Sequence, residues 1–146
     1  MDGFNFLASF IDIGGNFWHL DVMLKRTTEF CLICKRQNIF LKVFFDGGYQ
    51  SSEAIDKYKT RCEKHIKNAE RRIPYGAGAL LGDCFTKNGV EVLYSLGDND
   101  DIMAYYAYVD RAEIISRDKD FWRYIPALPG ILKEFHLVNG RINFDK

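Results

Sequence analysis

Two apolar runs constrain this chain most. Phe6-Leu7-Ala8-Ser9-Phe10-Ile11-Asp12-Ile13 and Ile39-Phe40-Leu41-Lys42-Val43-Phe44-Phe45-Asp46 are nearly continuous in hydrophobic residues. Neither alternates apolar with polar residues. A strand with one wet face would, so both read as strands buried on two faces, which is the pattern of a parallel sheet covered by helices. Gly14-Gly15-Asn16 breaks the first run and Gly47-Gly48 follows the second.

Helical stretches separate the strands. Residues 17–36 carry Phe17, Leu20, Leu24, Cys31 and Cys34 at helical spacing. Ser51 or Ser52 can cap a second helix that runs to about Arg72, where Pro74 stops it. Ile55, Tyr58, Cys62, Ile66, Ala69 and Ile73 form its apolar stripe. Residues 75–89 predict a short helix and 90–95 a third strand. A helix over 98–109, a strand over 112–116 and a helical turn over 121–125 follow. Phe135–Val138 and Arg141–Phe144 flank Asn139-Gly140 as a hairpin. This alternation predicts one α/β domain spanning 1–146: a three-layer sandwich with a mainly parallel central sheet and a C-terminal hairpin.

Carboxylates stand at the ends of these elements. Asp12, Asp46 and the pair Asp118/Asp120 follow predicted strands, and Asp98, Asp100 and Asp101 open a predicted helix. Taken singly, an Asp at a helix start is usually a cap, and one after a strand is usually a turn residue. Taken together they fall on one edge, where open parallel sheets place their functional crevice. So many negative charges on one edge repel one another unless cations neutralise them. An all-oxygen set suits Mg²⁺ or Mn²⁺, and two such ions about 4 Å apart can drive in-line phosphodiester displacement.

Formal net charge is zero over 146 residues, so a nucleic-acid signal has to be local. Residues 57–72 supply one: seven Lys/Arg against two Glu leave +5 on a single helix. No apolar run approaches the roughly 20 residues of a membrane span, and no basic leader opens the chain, which predicts an intracellular protein of cytoplasm or nucleus. Cys31, Cys34, Cys62 and Cys84 read as free thiols rather than a zinc site, since Cys62 and Cys84 stand alone. His19, His65 and His136 are scattered. Trp18 and Trp122 flank the acidic tips, with core packing their more ordinary role and base stacking the other. Asp12-x-Gly14-Gly15-Asn16 mimics the phosphate loop of sugar kinases, which need two domains and far more chain.

The ordered set of strand-Asp, strand-Phe-Asp-Gly, basic helix, Asp-x-Asp-Asp-x-x-Ala and strand-Ser-x-Asp-x-Asp-Phe resembles the PIN-like nucleases. Within them it is most similar to the structure-specific 5′-nuclease branch of flap endonucleases and asteroid-type proteins. Val43-Phe44-Phe45-Asp46-Gly47-Gly48-Tyr49 looks asteroid-like, and the resemblance covers residues 8 to 125. It implies that Asp12 and Asp46 are the first acidic ligands. Asp98 and Asp100 fall where flap endonucleases have a glutamate pair, with Asp101 an added carboxylate. Asp118 and Asp120 match the closing Asp-x-Asp. Asp2 stands before Gly3, where flap endonucleases have Gly directly after Met.

The implied activity is metal-dependent hydrolysis of RNA or DNA. Asp12, Asp46, Asp98, Asp100, Asp118 and Asp120 would be catalytic and, with Asp101, would hold two Mg²⁺ or Mn²⁺ ions. Lys57, Arg61, Lys64, Lys67, Arg71 and Arg72 would meet the nucleic-acid backbone. The partner is single-stranded or structured nucleic acid; a protein partner or homo-oligomer is also allowed, and a membrane is not. The alternative is a catalytically inactive PIN-like domain that binds nucleic acid or protein within a larger complex.

Overall fold

The computed structural model describes residues 1–11, 18–47, 52–67, 76–96 and 99–145, and shows a mixed α/β chain. In order, the elements are α1 (Leu7–Ile11), α2 (Leu20–Arg36), β1 (Lys42–Asp46), α3 (Ser52–Lys67), α4 (Ala77–Lys87), β2 (Glu91–Ser95) and α5 (Asn99–Asp110). Then come β3 (Ile114–Ile115), a 3₁₀ helix (Lys119–Ala127), β4 (Ile131–Leu132), β5 (Glu134–Val138) and β6 (Arg141–Asp145). Among the described residues no helix is long and apolar enough to cross a membrane.

The strands pair two by two. β1 and β2 are parallel, with Phe44 opposite Leu93 and Asp46 opposite Ser95, and β3 and β4 are parallel. β5 and β6 form the antiparallel hairpin read from Asn139-Gly140, and both turn residues take positive φ (51° and 69°). Residues 1–3 join the first two pairs. Phe44 N donates to Met1 O (2.9 Å), Gly3 N to Phe44 O (2.8 Å) and Asp2 N to Ile115 O (3.0 Å), and Asp2 forms a parallel bridge with Phe44.

The described part of the first apolar run, residues 6–11, is not a strand. Residues Leu7–Ile11 are helical, and the strand-like place between β1 and β3 belongs to Met1–Gly3. An apolar run without polar punctuation fits a buried helix as well as a buried strand. Leu7, Phe10 and Ile11, at i, i+3 and i+4, are the buried positions of α1. Phe10 meets Phe30 of α2 and Phe85 of α4 edge-on, with centroids 5.3 and 5.4 Å apart, and lies 5.9 Å from Phe135 of the hairpin.

β1 is covered on both faces. Val43 and Phe45 enter the cluster built by α1, α2 and α4, while Phe44 enters a second one with Met103, Ala104, Ala107, Ile114 and Phe121. That is the period-2 alternation of a strand between two apolar layers. Lys42 fixes the direction of α5: its Nζ lies 2.7 Å from Asp110 Oδ2 and 3.6 Å from Glu91 Oε2. The end of α5 therefore sits at the start of β1, and α5 runs antiparallel to it.

The α3 stripe lies open, and the cysteines are free thiols as expected. The stripe on α3 is not a core face, since Ile55 and Ile66 are exposed and no α3 residue enters either buried cluster among the described residues. Ala69 and Ile73 lie outside those residues. Cys31, Cys34 and Cys84 are buried free thiols. Burial pushes Cys31 up to about 11 and Cys34 up to about 12, so they serve α2 as small apolar side chains.

Gly3 is where the N-terminal segment passes the ring of Phe45, and a Cβ there would collide with that ring. Gly3→Ala should cost about 1–3 kcal/mol of stability through overpacking, read as a lowered thermal midpoint with native-like circular dichroism.

Candidate functional site

Three carboxylates converge at the carboxyl edge of the strands. Asp100 comes from the first turn of α5, Asp118 from the loop after β3 and Asp120 from the first turn of the 3₁₀ helix. Each offers an oxygen, and the three oxygens lie within 4.8 Å of one another. Asp100 is half-buried, and Asp118 and Asp120 are exposed. A hard, all-oxygen donor set of this kind fits Mg²⁺ or Mn²⁺.

Local chemistry fixes Asp118. It is the N-cap of the 3₁₀ helix, its Oδ1 accepting from Asp120 N at 3.0 Å. Its own N–H donates to Ser116 Oγ at 3.1 Å. Arg117, between them, is clamped: Nη2 and Nε reach Glu134 at 2.6 and 2.9 Å, Nη2 also donates to Ser9 Oγ, and the guanidinium lies over the Phe6 ring. Arg117 thus ties the loop that bears Asp118 to α1 and the hairpin.

The other expected ligands are placed differently. Asp46 ends β1 on the same edge and is exposed. Asp101 turns away from the trio: it accepts from Arg123 Nη2 at 3.3 Å and from the Tyr124 hydroxyl. Asp12 and Asp98 lie outside the described residues. Of the basic set, Arg61, Lys64 and Lys67 are exposed on α3. The Lys57 side chain is not among those described, nor are Arg71 and Arg72.

Asp2 is the residue that sequence reading missed. An isolated bridge residue carries no periodicity, so only its place before a glycine could have drawn notice. It ends the segment between β1 and β3, its Oδ1 accepting from Asn5 N at 3.1 Å and its Oδ2 from Ser116 Oγ at 3.4 Å. Ser116 is buried and thus links Asp2 to Asp118 through one hydroxyl. Burial, reinforced by the nearby charge of Asp46, holds the Asp2 carboxyl above its ordinary range, against the opposing pull of Asn5 N–H.

Both tryptophans are on the surface rather than in the core. Trp18 is 65% exposed and Trp122 51%, with Lys133 Nζ 5.7 Å from the Trp122 ring centroid. Trp122 lies two residues beyond Asp120. His136 pairs with Asp145 on the hairpin, away from the carboxylates in sequence.

Asp2 makes stability pH-dependent in a definite sense. The folded chain holds its proton above pH 3.8, where the unfolded chain has released it, so this group's contribution falls as pH rises through that window. With chelator present, Asp2→Asn should melt higher than wild type at pH 7, and the gap should close on acidification below pH 4. A gap that widens in acid would contradict the assignment. No family model, no curated protein and no solved structure matches this chain.

Proposed function

We propose that the chain is a metal-dependent phosphodiester hydrolase acting on RNA or DNA, built as a three-layer PIN-like domain. The observation that carries this reading is the convergence of Asp100, Asp118 and Asp120 from two separate elements onto one volume at the strands' carboxyl edge.

Asp100, Asp118 and Asp120 would hold Mg²⁺ or Mn²⁺, with Asp46 beside them and Asp12 and Asp98 as further members. Bound there, the metal supplies an activated water and neutralises charge on the phosphoryl oxygens. The protein's own part is placement. The Asp118 cap and the Arg117 clamp keep the carboxylates in register without cost at the moment of reaction. Arg61, Lys64 and Lys67 offer cations to the backbone of a bound strand, assisted by Lys57, Arg71 and Arg72. Exposed Trp122, two residues from Asp120, offers a face on which a base can stack.

A second reading keeps the fold and drops the chemistry, making the chain a binding subunit. Exposed Tyr105, Tyr108 and Val109 on one face of α5 favour it.

One assay separates the two: purified protein with labelled single-stranded RNA, single-stranded DNA and a flap substrate, with Mn²⁺ and with chelator. Cleavage with Mn²⁺ alone is expected. Asp118→Asn retains the cap acceptor, so it should fold, and it should lose at least about 100-fold in rate. Cleavage by that variant at the wild-type rate rules the site out.

A further inference from the structure

The outer face of α2 has no part in the reading above. Met23, Thr27, Phe30, Cys31, Ile33 and Cys34 are the buried positions of this helix. Leu24, expected in its apolar stripe, is 45% exposed, and Leu32, about two turns on, is 53% exposed. A shallow groove runs along the helix between Leu24, Lys25, Thr28, Glu29, Leu32 and Arg36. Thr28 is its midpoint, and Thr28 Oγ accepts from Asn88 Nδ2 at 3.4 Å, which ties the face to the end of α4. Scattered exposed leucines are ordinary, whereas two that frame one groove are a surface.

This face is complementary to itself. On a helix, residues four steps from Thr28 return to within about 40° of its direction, and residues seven steps away to within about 20°. Leu24 and Leu32 stand four steps to either side of Thr28, and Asp21 and Lys35 stand seven, all of them exposed. A two-fold axis at Thr28 that sets two copies antiparallel brings Leu24 level with Leu32 of the second copy. It also brings Asp21 level with Lys35 of the second copy, a pair of opposite charge. On one flank, Lys25 and Glu29 of the second copy come within two residues' rise, about 3 Å along the axis. Within one helix, Lys ahead of Glu at i,i+4 is the weaker order. Among the described residues, none of Asp21, Lys25, Glu29 and Lys35 makes an ion pair within the chain.

We propose that the outer face of α2 docks onto the same face of a second copy of this chain, the two helices antiparallel about a two-fold axis at Thr28. The contact is isologous, so each pair is made twice. With 17 residues, α2 is about 25 Å long. One helix face of that length buries less than the roughly 1,200 Å² at which stable interfaces begin. The dimer is therefore reversible, forms at micromolar or higher concentration and weakens with salt. α2 and α5 cover opposite faces of β1, so docking through α2 stays clear of Asp100 and stands whether or not the acidic trio holds a metal.

The test reads mass in solution. Sedimentation equilibrium of the full chain is run from about 5 to about 500 μM, at about 50 mM and about 500 mM salt. Wild type should pass from monomer to dimer in this range, with a midpoint at least about threefold higher in the stronger salt. Leu32→Glu changes an exposed position, so it should keep wild-type circular dichroism and stay monomeric throughout. Asp21→Lys and Lys35→Asp each set like charges together twice, and each should lose at least about tenfold in dimer affinity. An equimolar mixture of those two variants restores opposite charges at both ends and should recover the wild-type dimer. A wild type that stays monomeric at the highest concentration overturns the proposal, as does a dimer that Leu32→Glu leaves intact. Charge reversals without effect, or not rescued by mixing, overturn the antiparallel pairing at Thr28. If Leu32→Glu loses its cooperative melt, the mixing experiment decides alone.

Discussion

Three backbone hydrogen bonds hold the centre of this molecule. They seat Met1, Asp2 and Gly3 between Phe44 and Ile115 and so connect the β1–β2 pair to the β3–β4 pair. Buried backbone groups left unpaired are costly, typically about 1–3 kcal/mol each, so the segment is worth more than its length suggests. It also sets distances. With Asp2 in place, the end of β1 and the loop after β3 become neighbours, and Ser116 can bridge Asp2 to Asp118.

The acidic edge rests on elements held from behind. α5 packs over Phe44 and Ile114 through Met103, Ala104 and Ala107, and the Lys42–Asp110 pair pins its far end. Asp118 is spent on a cap, and Arg117 beside it is spent on Glu134, Ser9 and Phe6. Carboxylates placed by caps and packed helices keep their separations.

Much of this was legible in the sequence, for physical reasons that differ by region. β1 was readable because Val43-Phe44-Phe45 is β-prone and too short for a helix between Lys42 and Gly47. The hairpin was readable from Asn139-Gly140, two residues that tolerate positive φ. Residues 7–11 were misread because length and hydrophobicity say nothing of period. The spacing of Leu7, Phe10 and Ile11 was the overlooked clue. Helical spacing on α3 was real, yet Ile55 and Ile66 stay exposed, since amphipathic pattern shows that a helix has an apolar face but not what covers it. Asp100, Asp118 and Asp120 were found by their places at element ends. Asp101 instead accepts from Arg123 and Tyr124, partners that a string of letters does not disclose. Asp2 escaped because an isolated bridge residue leaves no pattern to read.

The seating of Met1–Gly3 also governs the order in which the chain can assemble. These residues are made more than a hundred residues before one of their partners, Ile115. Contacts that span so much sequence close loops at high entropic cost and form slowly. β1, β2 and their helices can gather early, while the central segment waits. During synthesis this segment is thus late to find its place, and its apolar neighbours Phe6 and Phe10 must be kept from wrong partners until then.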